Sequence, residues 1–403
     1  MNAKKVKMMK VKKVISIIIA ITLIITNIQV SNTSADTVNE IFVIGGVQYK
    51  ITSIEKKEAI VVGGQDVNIK WLYVPNTINK DGIEYNVKQI GDSAFKNCME
   101  LEEVSLPDEL ERIGANAFQN DSKITEIKLP ENLKKAGQGA FGECSGLTEI
   151  EIPRALETVE TVYWRDQNGM FRGCSNLKNI RFEEGSKKII DNIFVNCTGL
   201  EKVTIPEGIE TIGNGAFMGC INVQEVMIPE GVTEIGSNAF DNCGNIKEID
   251  FPETLKTIGN SAFANNNKLE KVRFPDNIER IGADAFQNDS KITEIKLPEN
   301  LKKAGQGAFG ECSGLTEIEI PRALETVETV YWRDQNGMFR GCSNLKNIRF
   351  EEGSKKIIDN IFVNCTGLEK VTIPEGIETI GNGAFSDCGN LTEIIIPESV
   401  MKI

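Results

Sequence analysis

The chain contains no histidine in 403 residues. That removes the side chain whose ordinary pKa suits general acid–base work near neutral pH, and with it the commonest metal-ligating nitrogen. Aromatic residues other than phenylalanine are scarce, at 5 Tyr and 3 Trp. No Cys-x-x-Cys occurs among the 10 cysteines, so the spacing that marks a zinc site is missing. Phosphate-cradling glycine loops, calcium loops and nucleophile elbows are likewise absent from the sequence. Two carboxylates could in principle hydrolyse a substrate. The acids, however, recur at fixed positions such as Glu103, Glu126, Glu149 and Glu225 and read as a solvated sheet face. Enzyme activity is not expected, and no cofactor or metal is implied.

Positive charge is also in short supply, with 45 Lys and Arg against 58 Asp and Glu and a formal charge of −13. The first 35 residues are the exception, holding six lysines and no acid. An apolar run from Val14 to Ile25 follows them, then small polar residues ending Thr33-Ser34-Ala35. Residues 1–35 therefore read as a secretory signal peptide, with an uncleaved membrane anchor as the alternative. Cleavage after Ala35 would leave 39 bases against 58 acids, a formal charge of −19. So acidic a surface argues against nucleic acid and anionic membranes as partners.

What fills the rest of the chain is a repeat. Aligned on one aromatic, it places Phe95, Phe118, Phe141, Phe171, Phe194, Phe217, Phe240, Phe263, Phe286, Phe309, Phe339, Phe362 and Phe385 at intervals of 23 residues. The two exceptions, Phe141 to Phe171 and Phe309 to Phe339, span 30, one repeat plus seven. A period in the twenties implies a solenoid, whose units are too small to bury an apolar face alone and close their core only against neighbours. Within a unit the pattern is Cys-x-x-Leu-x-x-Ile-x-Ile-Pro, a short connection, then Ile-Gly-x-x-Ala-Phe. Pairs such as Ile150 and Ile152, or Val203 and Ile205, alternate at the spacing of a strand with one buried face. The proline that follows has no N–H for a ladder and ends the strand. The expectation is one short strand per repeat, stacked in parallel.

This spelling resembles the BspA-like leucine-rich repeats of bacterial surface proteins, since Ile-Pro, Ile-Gly and Ala-Phe recur together in phase over residues 40 to 403. The resemblance implies a β-rich α/β solenoid, a right-handed coil with one parallel strand per 23-residue repeat. It also implies a secreted or cell-surface protein that adheres to protein or glycan partners on host or neighbouring cells.

Residues 36–94 lack the regular punctuation and read as an N-terminal β-rich cap with an irregular first repeat, Trp71 packing inside it and Lys80-Asp81-Gly82 forming a hairpin turn. The solenoid proper is 95–403. Within it, residues 112–217 recur at 280–385 with one difference, Asn116 against Asp284, an in-phase duplication of seven whole repeats. Whatever the first copy binds, the second is expected to bind. At Ile403 the sequence stops where the next Gly-x-x-Ala-Phe is due. An uncapped end there would allow self-association, and the rival functional reading is a self-assembling component of the envelope or matrix.

All ten cysteines lie three residues after the repeat Phe, a slot that Asp121, Asn266 and Asp289 occupy elsewhere. A column of parallel side chains does not converge as a disulfide requires, so buried free thiols are expected. Outward strand positions form two mixed-charge columns, and from them come the candidate ligand contacts Glu126, Glu149, Glu151, Arg181, Lys202, Glu294, Glu317, Glu319 and Arg349. The seven-residue insertions add Tyr163, Trp164, Tyr331 and Trp332 as candidate anchors. An ordinary solvated sheet face, and aromatics packed over the insertion's own core, are the competing readings.

Overall fold

The computed structural model describes residues 38–160, 169–328 and 337–403. The chain divides into two compact units, Met1–Val162 and Tyr163–Ile403. The signal-peptide segment and Tyr163, Trp164, Tyr331 and Trp332 lie outside the described residues.

In the first unit, strands β1 (Ile41–Ile44), β2 (Val47–Ser53) and β3 (Glu58–Gly64) form an antiparallel meander. After β4 (Trp71–Tyr73), β5 (Thr77–Lys80) and β6 (Ile83–Ile90) make a hairpin. Its turn is Asp81-Gly82, both left-handed at φ 52° and 83°, as a two-residue turn between twisted strands requires. β6 lies parallel to β3 and continues, again parallel, to β8 (Arg112–Ile113) and then to Lys135–Gly137 and Thr158–Glu160. The irregular N-terminal strands and the first repeats thus share one sheet. β4 pairs separately, in parallel, with β7 (Glu103–Ser105). Trp71 does not pack inside: it is 64% exposed, because Leu72, at 3%, takes the inward position and period two sends Trp71 outward.

The second unit repeats one scheme. An Ile-x-Ile strand such as Lys202–Thr204 lies parallel to its counterpart Glu225–Met227, residue for residue at offset 23. A second strand of two or three residues, in most repeats ending at the Ile before Gly, also recurs. From Lys188–Ile189 through Thr211–Ile212 and Glu234–Ile235 to Thr326–Glu328, seven of these form a continuous parallel ladder. Most repeats therefore carry two short strands, not one. The second is too short to show alternation in sequence. Its glycine is set by close approach, since a Cβ on Gly305 would sit 2.1 Å from the Ala283 backbone nitrogen. The Ile-x-Ile strands, by contrast, pair in twos, as Glu248–Asp250 with Lys271–Arg273 and Glu317–Ile320 with Asn347–Phe350. Residues 291–297 between those pairs join no strand.

The third side of the coil is a turn carrying Ala-Phe, and no α-helix occurs among the described residues, so the α component of the expected class is missing. The reason is local. Residues two before and two after the Phe are left-handed, as at Asn238 (φ 57°) and Asn242 (φ 56°) around Phe240, and such alternation cannot propagate a right-handed helix. The turns instead stack: Phe217 N–H donates to Ala239 O at 2.9 Å and Phe240 N–H to Ala262 O at 2.7 Å. Their rings form a spine, with Phe194, Phe217, Phe240 and Phe263 spaced 5.5, 5.2 and 5.2 Å and each 0% exposed. Across the second insertion, Phe309 and Phe339 keep the same spacing at 5.6 Å, so seven extra residues leave the stack intact.

All ten cysteines are buried and free. In the second unit the Cys220 thiol donates to the Phe194 carbonyl of the preceding repeat at 3.1 Å, and Cys243 to Phe217 at 3.2 Å; Cys144 does the same to Phe118 in the first unit at 3.1 Å. The slot is thus a donor position beneath a backbone carbonyl. Asn266 fills it with an amide whose Nδ2 reaches Phe240 O at 3.1 Å and Phe263 O at 2.5 Å.

Candidate functional site

The outward residues of the Ile-x-Ile strands gather into a groove in the second unit, about 640 Å³ in volume. Its floor is Val272, Ile295 and Ile318, buried at 8, 9 and 2% exposure, which face into the coil and hold each strand in place. The alternate residues, forced outward by the same period, make its walls. Six carboxylates and four bases line it, Glu294, Glu317, Glu319 and Arg349 among them. Four of the thirteen sequence candidates therefore meet in one place.

Strand pairing sets their positions. Glu317 stands opposite Asn347, and Glu319 opposite Arg349. The Arg349 guanidinium nevertheless turns to Glu317, Nη2 lying 3.5 Å from its carboxylate. Lys296 reaches Glu299 at 3.4 Å and Asp276 at 3.9 Å, and Arg273 contacts Asp250 and, at 3.6 Å, Glu248. The hydrogen bond and charge of Asp250 hold the Arg273 guanidinium still more firmly protonated. These pairs are exposed and screened by water, so they contribute little to stability. Swapping such a partner for a charge on another molecule costs correspondingly little. The groove is thus a mixed-charge, net acidic surface over buried apolar residues. Among the described residues no cluster of three His, Cys, Asp or Glu could hold a metal ion.

The remaining candidates lie elsewhere. Arg181 and Lys202 are exposed on strands of the second unit but do not line the groove, and Lys202 pairs with Glu225 at 2.9 Å. In the first unit Glu126 and Glu151 are exposed and Glu149 half-buried. Lys271, Arg273, Lys296 and Glu351 belong to the groove without having been singled out. The signal was present for the first three, which occupy the same outward columns as the residues that were chosen.

No helix among the described residues is long and apolar enough to cross a membrane. No functionally curated protein matches the chain. Among solved structures, it resembles a leucine-rich repeat protein from Bacteroides ovatus ATCC 8483, 25% identical over 90% of each chain with a TM-score of 0.57. It resembles the pneumococcal vaccine antigen PcpA in fold, at 20% identity over 90% of this chain and 99% of that one, with a TM-score of 0.58. The family model for the BspA type leucine rich repeat region matches in six copies, over residues 73–168, 166–268, 210–336 and 335–403. With its phenylalanine spine, parallel ladders and in-phase punctuation, the chain belongs to the BspA-type leucine-rich repeat family.

Proposed function

We propose that this chain is a secreted or cell-surface adhesion scaffold, without enzymatic activity, that binds a protein partner through the strand face of its second unit. The observation that carries the reading is the groove that brings Glu294, Glu317, Glu319 and Arg349 together over an apolar floor. A row of loosely paired charges presented at fixed repeat spacing supplies specificity and fast encounter. Glycans on host or neighbouring cells are the other ligand class, and the paired loop aromatics Tyr163, Trp164, Tyr331 and Trp332 are proposed as further anchors. A self-assembling component of the envelope or matrix is the second reading.

The test is a binding screen of the full chain against extracellular matrix proteins and a glycan array. It is followed by the combined variant Glu294→Gln, Glu317→Gln, Glu319→Gln and Arg349→Gln on any hit. The reading expects a protein hit that the variant loses while its melting temperature holds. A hit that the variant binds unchanged moves recognition away from this groove, and concentration-dependent self-association with no hit favours the matrix reading.

A further inference from the structure

The first unit carries a second surface, independent of that groove. Trp71 stands 64% exposed on β4, on the outward side of a strand whose inward residue, Leu72, is 3% exposed. Packing does not need it there. The equivalent outward position in later repeats is Glu103, Glu126, Glu149 or another polar residue, and the ladder holds without an indole. Leaving so large an apolar side chain in water is unfavourable, and an exposed apolar patch of this kind points to a contact. Glu102 N–H donates to Lys70 O at 2.9 Å, which lays the run 67–73 beside 99–105. That register adds Val67 and Met99, exposed at 62 and 57%, to the same pair of strand approaches.

The chemistry beside the indole selects the occupant. Glu103 is paired with Trp71 across the strands, one strand spacing away, and Tyr73 pairs with Ser105 in the next outward position. The Glu103 side chain is exposed and has no ion pair or hydrogen bond among the described residues. Of the nearby bases, Lys123 is drawn to Glu100 at 2.5 Å, and Lys70, the residue before Trp71, acts on the same carboxylate. An aromatic face with an unneutralised carboxylate beside it fits a cation. The face attracts positive charge through its quadrupole, and the carboxylate supplies the charge-assisted hydrogen bond. A planar guanidinium satisfies both at once.

We propose that Trp71 and Glu103 form a recognition site for a basic side chain, arginine or lysine, projecting from a protein partner. A neutral sugar would stack on the indole equally well but would gain nothing from the charge of Glu103, and it is the alternative that the experiment separates. Hexa-arginine peptide and maltohexaose are titrated calorimetrically into the full chain and into Trp71→Ala, Trp71→Phe, Glu103→Gln and, as a control on an exposed turn of the second unit, Glu375→Gln. The peptide is expected to bind. Trp71→Ala and Glu103→Gln should each weaken it about fivefold, Trp71→Phe less, and Glu103→Gln should also reduce the salt dependence. Trp71 is mostly exposed, so melting temperatures should match the parent's, and Trp71→Phe retains a strand-forming aromatic if Trp71→Ala does not fold. Unchanged peptide affinity in both Trp71 variants overturns the site. So does a Glu375→Gln loss equal to that of Glu103→Gln, which would mean general attraction to an acidic chain, and so does Trp71-dependent binding of maltohexaose without the peptide.

Discussion

Raising the pH should loosen this protein through two aspartates buried inside the coil. Asp121 and Asp289 are 0% exposed and occupy the cysteine slot, where the neighbouring thiols donate to a phenylalanine carbonyl. An ionised carboxylate has no proton to donate and would face that carbonyl with its own charge. Both Asp121 oxygens lack a hydrogen-bond partner, as does Oδ2 of Asp289, whose Oδ1 accepts from the Asn266 N–H at 2.7 Å. Burial therefore pushes Asp121 up from 3.8 to about 8, against a lowering influence of the Cys98 backbone. It pushes Asp289 well above the ordinary range as well, helped by the charge of Asp241 and opposed by the Asn266 N–H.

The folded chain thus holds these protons more tightly than the unfolded chain. The stability they contribute is complete below about pH 4, declines as pH climbs toward about 8, and is flat above that for Asp121. At about 1.4 kcal/mol per unit, the whole span for Asp121 is on the order of 6 kcal/mol. Urea unfolding between pH 4 and 9 should show the midpoint falling with pH. Asp121→Asn and Asp289→Asn together should flatten the slope, because the amide of Asn266 already donates at that slot. A midpoint independent of pH in the parent, or an equal slope in the double variant, would refute the argument.

Phe217→Ala, in the middle of the aromatic spine, should cost about 3–5 kcal/mol and divide unfolding of the second unit into two transitions, readable by calorimetry. An unchanged single transition would sink the stacked-ring account at that position. The protein unfolded under nitrogen without reductant should titrate for all 10 cysteines as thiols, and the folded protein should react slowly, since burial raises Cys220 to about 12. Mass shifts showing paired cysteines would contradict this. Arg280 contacts Glu328 at 3.0 Å, half-buried, so Glu328→Gln should cost no more than about 1 kcal/mol by urea unfolding. A much larger loss would mean that the base of the second insertion depends on that pair.

The phenylalanine spine was legible because a ring every 23 residues has one physical meaning, and the cysteine column because a shared offset from that ring fixes a shared environment. The hairpin at Asp81-Gly82 was equally plain from its turn residues. The second ladder was not, because Thr211–Ile212 and its kin are two residues long and leave no alternation to read. Trp71 was misplaced by the rule that large apolar residues go inside. Aligning Leu72 with Val104 would have put it outward, opposite Glu103. Of the binding candidates, the columns gave the right face, but only the structure shows that Glu294, Glu317, Glu319 and Arg349 line a single groove.

The claim that recognition belongs to this strand face is tested most directly by carboxyl footprinting of the full chain with a bound protein partner. Protection should concentrate at Glu294, Glu317 and Glu319, with Glu207, Glu230 and Glu253, on the turns after the prolines, labelled as in the free protein. Protection of those turn carboxylates, with the groove labelled as before, would contradict it.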